Sequence, residues 1–167
     1  MPDRVELHTL IPAHNVVSGQ PVVLNVCFTD EERRHLCERF SFVELAGLDG
    51  RLVLSQLADE CWLLKGRLTG QVTQICVVSG QAVVSPLVVE LDERFVKTLS
   101  DQAEVDVTDV DVDVLVEGQI PVGESLSQWI GVCAPAWPRA DDVPVLEEPV
   151  SDRAENHPFA KLSELKK

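Results

Sequence analysis

Two apolar runs with strand periodicity, from Trp62 to Val78 and from Ala82 to Val96, flank Ser79-Gly80 and constrain the fold more than any other feature of the chain. Side chains on a strand alternate between two faces, and segments this rich in Val, Leu and Ile need a partner for their backbone groups. The simplest partner for each run is the other, joined through Ser79-Gly80 as a long hairpin. Gly66, Gly70 and Pro86 are expected at bulges or edge positions, and Pro86 keeps the second strand from being central along its whole length. Upstream, Phe42 to Leu57 contains Leu48-Asp49-Gly50-Arg51, where Asp-Gly supplies the positive φ angles of a type I′ turn and predicts a second hairpin.

The first third reads as strand, strand, helix. Val5 to Leu10 alternates, a loop with Pro12, Asn15 and Gly19 follows, and Val22 to Phe28 is a second strand. Thr29 then has the character of an N-cap: Asp30, Glu31 and Glu32 occupy the first turn, where the helix dipole favours acids, and Glu32 stands at the capping-box position. The predicted helix runs from Asp30 to Phe40 with Leu36, Cys37 and Phe40 on one face. A second helix is predicted where Val122, Leu126, Trp129, Ile130 and Cys133 recur at helical spacing, and the prolines at 135 and 138 end it.

Between these elements lies the most acidic stretch. The chain has a net charge of -14, and residues 101 to 150 carry 12 acids against one base, with no Lys or Arg between Lys97 and Arg139. Over residues 105 to 116, Val110, Val112, Val114 and Val116 alternate with Asp109, Asp111 and Asp113. A strand here is expected to bury the valines and display a ladder of carboxylates roughly 7 Å apart. Such a face repels phosphate and attracts basic protein surfaces, so Asp109, Asp111 and Asp113 are candidate partner-binding residues. They do not form a calcium loop, because the positions that need glycine and a bidentate acid are Val114 and Ile120.

No catalytic residue, metal site or cofactor is expected. The five cysteines (27, 37, 61, 76, 133) include no C-x-x-C pair, and their apolar neighbours suit buried thiols better than disulfides. Neither Gly-x-Ser-x-Gly nor a phosphate-cradling glycine loop is present. An RNA platform needs a basic sheet face with exposed aromatics. This chain has no tyrosine, and its clustered bases are confined to Arg33, Arg34 and Arg39, Lys65 with Arg67, and Lys161, Lys166 and Lys167. No leader pattern opens the sequence and no run approaches a membrane span, so a cytoplasmic protein with neither membrane nor DNA as partner is expected.

Residues 1 to 138 read as a single globular α+β domain, mainly an antiparallel β-sheet or a partly closed barrel with two short amphipathic helices. Residues 139 to 154, with two prolines among five acids, read as a linker. Residues 155 to 167 read as a flexible C-terminal docking tail: Phe159 and Leu162 fall at i and i+3 as apolar anchors, with Lys161, Lys166 and Lys167 around them.

Three of these segments carry a resemblance. Val72-Thr-Gln-Ile-Cys-Val-Val78 places Gln74 and Cys76 just before a hairpin turn. The run 118 to 124, Gly-Gln-Ile-Pro-Val-Gly-Glu, opens a helix that stops before Pro-Ala-Trp-Pro at 135 to 138. The tail holds Asn156, Pro158-Phe159-Ala160, Leu162 and Leu165-Lys166. In this order they resemble the YceD family, the large-ribosomal-RNA-accumulation proteins of bacteria and plastids. The family's Leu-Glu-Pro turn is replaced by Ser79-Gly80-Gln81-Ala82, and His157 is inserted before Pro158. The resemblance implies a non-enzymatic ribosome biogenesis factor that supports accumulation of large-subunit (23S) ribosomal RNA, binding a large-subunit ribosomal protein or precursor ribosomal RNA. The alternatives are an acidic chaperone-like module unrelated to ribosomes, or an RNA-processing hydrolase that uses Cys76 or the aspartate ladder.

Overall fold

In the computed structural model of the chain, residues 4–97 and 112–143 are described. They form one six-stranded sheet with two helices on one of its faces. The strands are β1 (Arg4–Val5), β3 (Val22–Cys27), β4 (Glu44–Ala58), β5 (Cys61–Ile75), β6 (Ala82–Val96) and β7 (Val112–Val114), adjacent in that order. The pairs from β3 to β6 are antiparallel, and the short strands at both edges pair parallel to their neighbours. A separate two-stranded ribbon joins β2 (Ile11–Pro12) to β8 (Gln119–Ile120). The sheet is open, not a partly closed barrel. Its edge strands are two and three residues long and are not paired to each other, so no ladder continues from one edge to the other.

The β5–β6 pair runs in unbroken register from Cys61↔Val96 to Ile75↔Ala82. Its even positions on β5 and odd positions on β6 face inward, so Leu64, Leu68, Val72, Leu87, Val89 and Phe95 are fully buried. Facing them are Leu36 of helix α1 (Asp30–Phe40) and Val122, Leu126 and Ile130 of helix α2 (Val122–Cys133). Each such side chain contributes roughly 1.5 to 3 kcal/mol through removal from water.

The start of α1 is where the sequence places it. The Thr29 hydroxyl accepts the Glu32 N–H at 3.2 Å, and the Glu32 carboxylate accepts the Thr29 N–H at 2.8 Å, a complete capping box. Burial pushes the Glu32 carboxyl up, but the bonds from Thr29, the Leu7 N–H and the Arg4 guanidinium outweigh it and hold the group below its ordinary value. The two helices are tied by Arg39, which donates to both oxygens of Glu124 at 2.8 and 2.6 Å. These bonds hold Glu124 down to about 2. Nearly half of each side chain is exposed, so the pair's contribution stays within about 1 kcal/mol.

Three expectations are corrected. Leu48-Asp49-Gly50-Arg51 is not a turn but the middle of the continuous strand β4. The positive φ lies at Gly47 (58°), beside a shift of register between Ala46 and Asp49, and not at Gly50. Gly50 is needed for closeness: a Cβ there would lie 2.2 Å from the Arg67 carbonyl oxygen and 2.8 Å from the Leu68 Cα. The first strand is shorter than Val5 to Leu10, because the chain turns at Glu6, where the Thr9 N–H reaches the Glu6 carbonyl at 2.9 Å.

The third correction concerns the aspartate ladder, of which Asp113 lies within the described residues. Val112 and Val116 are exposed and Val114 is half-buried. Register pairs Asp113 with Phe95, and paired residues share a face, so the acid and not the flanking valines stands on the helix side. Among the described residues, Ala82 to Glu93 of β6 have no strand on their outer side.

Candidate functional site

The hairpin turn between β5 and β6 brings together the motif residues Gln74 and Cys76. Gln74 lies on the inward row of β5, two positions beyond Val72, and Cys76 continues that row one residue past the end of the strand. Their inner side is covered by the segment that follows α2. Pro135 cannot continue that helix, and Ala134 is already extended (φ -67°, ψ 144°), so the chain leaves the helix as a strap across the hairpin.

Three bonds fasten the strap. The Gln74 side-chain amide donates to the Pro135 carbonyl at 3.0 Å. The Val77 N–H donates to the Pro138 carbonyl at 3.0 Å. The Ala140 N–H donates to the Cys76 sulfur at 3.4 Å. The turn is closed on itself by Cys76 N–H to Gln81 carbonyl at 2.7 Å and Gly80 N–H to Cys76 carbonyl at 3.0 Å, with Gly80 at φ 72°. The strap's contacts therefore reach Ala140, two residues past the 138/139 boundary read from the sequence. The Gln74 carbonyl oxygen is buried and has no partner among the described residues.

Cys76 is 2 % exposed, as a packing thiol would be, but it does more than fill volume. Its sulfur also accepts the Ser79 N–H at 3.3 Å. Hydrogen bonding from the Ser79 side chain, then from the backbone N–H groups of Ser79, Ala140 and Val78, pulls the thiol down to about 6 against the upward push of burial. The folded value lies below the ordinary 9.0 of the thiol, so between those limits the unfolded chain holds the extra proton. Stability should accordingly rise as pH goes from about 6 to about 9, stay level above that window, and lack this gain below it. Denaturant titrations across that range should show a steeper rise in the native chain than in Cys76→Ala. Ser79→Ala should move the thiolate absorbance edge to higher pH.

Ser79 and Ala140 were not readable as partners of the thiol, because one lies inside the turn and the other 64 residues downstream. The signal for Ser79 was its place in Cys-Val-Val-Ser-Gly, where an N–H three residues on folds back to the cysteine side chain.

Asp113 lies at the other end of β6, about 40 Å along the strand at roughly 3.3 Å per residue from the hairpin turn. It borders a cleft of about 440 Å³ with Glu93, Val112, Gln128, Trp129 and Val132. Its carboxylate accepts the N–H of Val114 at 2.7 Å. Glu93 is buried and accepts the Ser125 hydroxyl and, at 3.1 Å, the Trp129 indole N–H. Sequence reasoning missed Glu93. The available signal was an acid at an inward position of the β6 row Leu87, Val89, Leu91, Glu93, Phe95. Asp109, Asp111, Phe159, Lys161, Leu162, Lys166 and Lys167 lie outside the described residues.

The face of the sheet away from the helices carries Arg51, Lys65 and Arg67. Lys65 pairs with Asp92 at 2.6 Å and Arg67 with Glu90 at 3.6 Å. Arg51 stands in register opposite Arg67. Of the aromatic rings among the described residues, Trp137 in the strap is the one that is exposed, at 78 %. Among those residues no group of three or more His, Cys, Asp or Glu side chains converges as a metal site would require, and no helix is long and apolar enough to cross a membrane. No protein-family model, curated protein or solved structure matches this chain.

Proposed function

We propose that this chain is a non-enzymatic binding protein that supports the accumulation of large-subunit (23S) ribosomal RNA by docking a basic large-subunit ribosomal protein or precursor ribosomal RNA. The ribosomal setting comes from the likeness of residues 72–78, 118–138 and 155–167 to the YceD family. The observation that carries the binding role is the use made of Gln74 and Cys76. Their polar atoms hold the backbone of the 135–140 strap, and so fix the shape of a surface, with no acid or base side chain among the described residues hydrogen-bonded to the sulfur. The acidic stretch that contains Asp109, Asp111 and Asp113, of which Asp113 is exposed at the far end of β6, offers a second surface suited to cationic partners. Among the described residues the sheet face carries no exposed ring, which favours protein contacts over base stacking.

The test is purification of the tagged chain from its own cells at low and at high salt, with co-purifying protein and RNA identified. Large-subunit ribosomal components should be retained at low salt and depleted at high salt. Replacing Asp109, Asp111 and Asp113 by Asn should reduce the low-salt yield and flatten its salt dependence while the chain stays folded. Particles missing at both salts would remove the ribosomal reading, and an undiminished yield from the triple variant would remove the acidic face from it.

A further inference from the structure

We infer that the cleft between the β4–β5 turn and the β2–β8 ribbon binds a small uncharged molecule with an apolar body and a hydrogen-bond acceptor for the indole N–H of Trp62. The cleft holds about 590 Å³, within the range of small-molecule sites. Trp62, Leu115 and Ala13 give it an apolar wall, and Gln56 and the turn residues Asp59 and Glu60 bring polar groups to it. Trp62 is 6 % exposed, and its Nε1 is buried with no hydrogen-bond partner among the described residues. A buried indole N–H ordinarily finds an acceptor, and an orphaned one is rare.

The fold leaves that donor one source of supply. Trp62 stands in register between Gln56 of β4 and Phe95 of β6, so the backbone beside it is engaged in the ladders. Its ring belongs to the buried cluster that includes Leu54, Leu64 and Phe95, side chains without a polar atom. The buried acid of that face, Glu93, is engaged by Ser125 and Trp129. An acceptor is therefore left to come from the cleft, and the cleft is built to receive it. The Lys97 N–H donates to the Glu60 carbonyl at 3.3 Å, the Leu115 N–H to the Val96 carbonyl at 3.0 Å, and the Ala13 N–H to the Gly118 carbonyl at 3.1 Å. With its walls tied in this way, little ordering opposes binding.

Charge narrows the class of ligand. Of the charged groups at the cleft, Lys97 pairs with Glu60, whereas Asp59 has no ion pair among the described residues. With the imidazole of His14 neutral, one net negative charge remains. A carboxylate or phosphate also supplies an acceptor but meets that charge, and a carbonyl or ring nitrogen supplies one without it. Gln56, in register beside Trp62, adds an amide able to bond the same molecule. The site is independent of the ribosomal reading.

Benzamide, benzoate and toluene, titrated into the isotope-labelled full chain at about pH 8, where a free imidazole is neutral, test the site through the nuclear magnetic resonance of the Trp62 indole N–H. That resonance is identified by its loss in Trp62→Phe or, where that variant does not fold, by elimination with Trp129→Phe and Trp137→Phe. Benzamide should move the indole proton downfield in a saturable way at millimolar concentration. Benzoate should need a several-fold higher concentration, and Asp59→Asn, at an exposed position that leaves the fold intact, should close most of that gap. Toluene, which has no acceptor, should give no downfield shift. Absence of a saturable downfield shift with benzamide would overturn the proposal. An equal shift with toluene would overturn it too, by reducing the cleft to an apolar hollow. Benzoate binding as tightly as benzamide in the native chain would do the same, by removing the selection for an uncharged ligand.

Discussion

Replacing Gly66 by valine should cost this protein on the order of 3 to 5 kcal/mol of stability, enough to lower its melting temperature by roughly 10 °C or to leave it unfolded. Gly66 lies on the inward row of β5, in register with Leu52 of β4 and Leu91 of β6. A Cβ at that position would stand 2.3 Å from the Arg51 carbonyl oxygen, 2.7 Å from the Leu52 Cδ2 and 2.8 Å from the Leu52 Cα. The methyl of Leu52 can turn away, but the carbonyl and the Cα belong to a strand held on both sides by ladders. Relief therefore requires β4 and β5 to separate, with loss of their hydrogen bonds along several residues. Gly80→Ala provides the contrast. Gly80 has φ 72° with open space where a Cβ would go, so its replacement should cost only about 1 kcal/mol of backbone strain. Chemical denaturation of the two variants measures the difference. Equal, small losses would show that β4 and β5 can part freely at Gly66 and that the close approach is not rigid.

Removal of residues 155 to 167 should do the reverse, changing stability little and function completely. The 139–154 stretch that precedes the segment is rich in acids and interrupted by prolines, a composition with little apolar area to tie it to the core. In a strain lacking the native gene, the shortened chain and Phe159→Ala should accumulate as folded protein and fail to restore the level of large-subunit ribosomal RNA. Phe159 and Leu162 are the anchors on the proposed reading, since an apolar pair at i and i+3 is what a short docking helix offers a groove. Full restoration by the shortened chain would show that the segment has no part in the function.

Local rules were readable wherever a few neighbouring residues decide the outcome. Thr29 and Glu32 close a box that involves only each other, and the α1 boundaries follow from it. The β5–β6 pair follows from period-two patterning on either side of a turn, and α2 from five apolar residues at helical spacing. Asp49-Gly50 failed because the same dipeptide serves two physical needs. The glycine that a type I′ turn requires for its φ is here required for the approach of Arg67, which is a property of the neighbouring strand. Within the described part of the Val-Asp alternation, Val112 to Val114, the phase is the reverse of the one read from the sequence. Phase is set by the register against Phe95, and register lies in the pairing and not in the segment. The site divides in the same way: Gln74 and Cys76 were visible as a motif, whereas the strap that gives them their role is brought in by the end of α2.

Among the described residues β6 has no strand on its outer side from Ala82 to Glu93, which bears on how this protein behaves in a crowded solution of its own copies. Alternate residues from Ala82 to Glu93 turn their backbone groups to that side, and Val84 is 61 % and Val88 41 % exposed, the makings of a template on which further strands could grow. Pro86 sits between those two valines, paired inward with Gln71. Having no N–H, it interrupts the row of donors at its centre, and any incoming strand would meet a gap flanked by short stretches too small to hold alone. Pro86, expected from the sequence at a bulge or edge position, thus guards a run that no strand covers among the described residues against edge-to-edge growth.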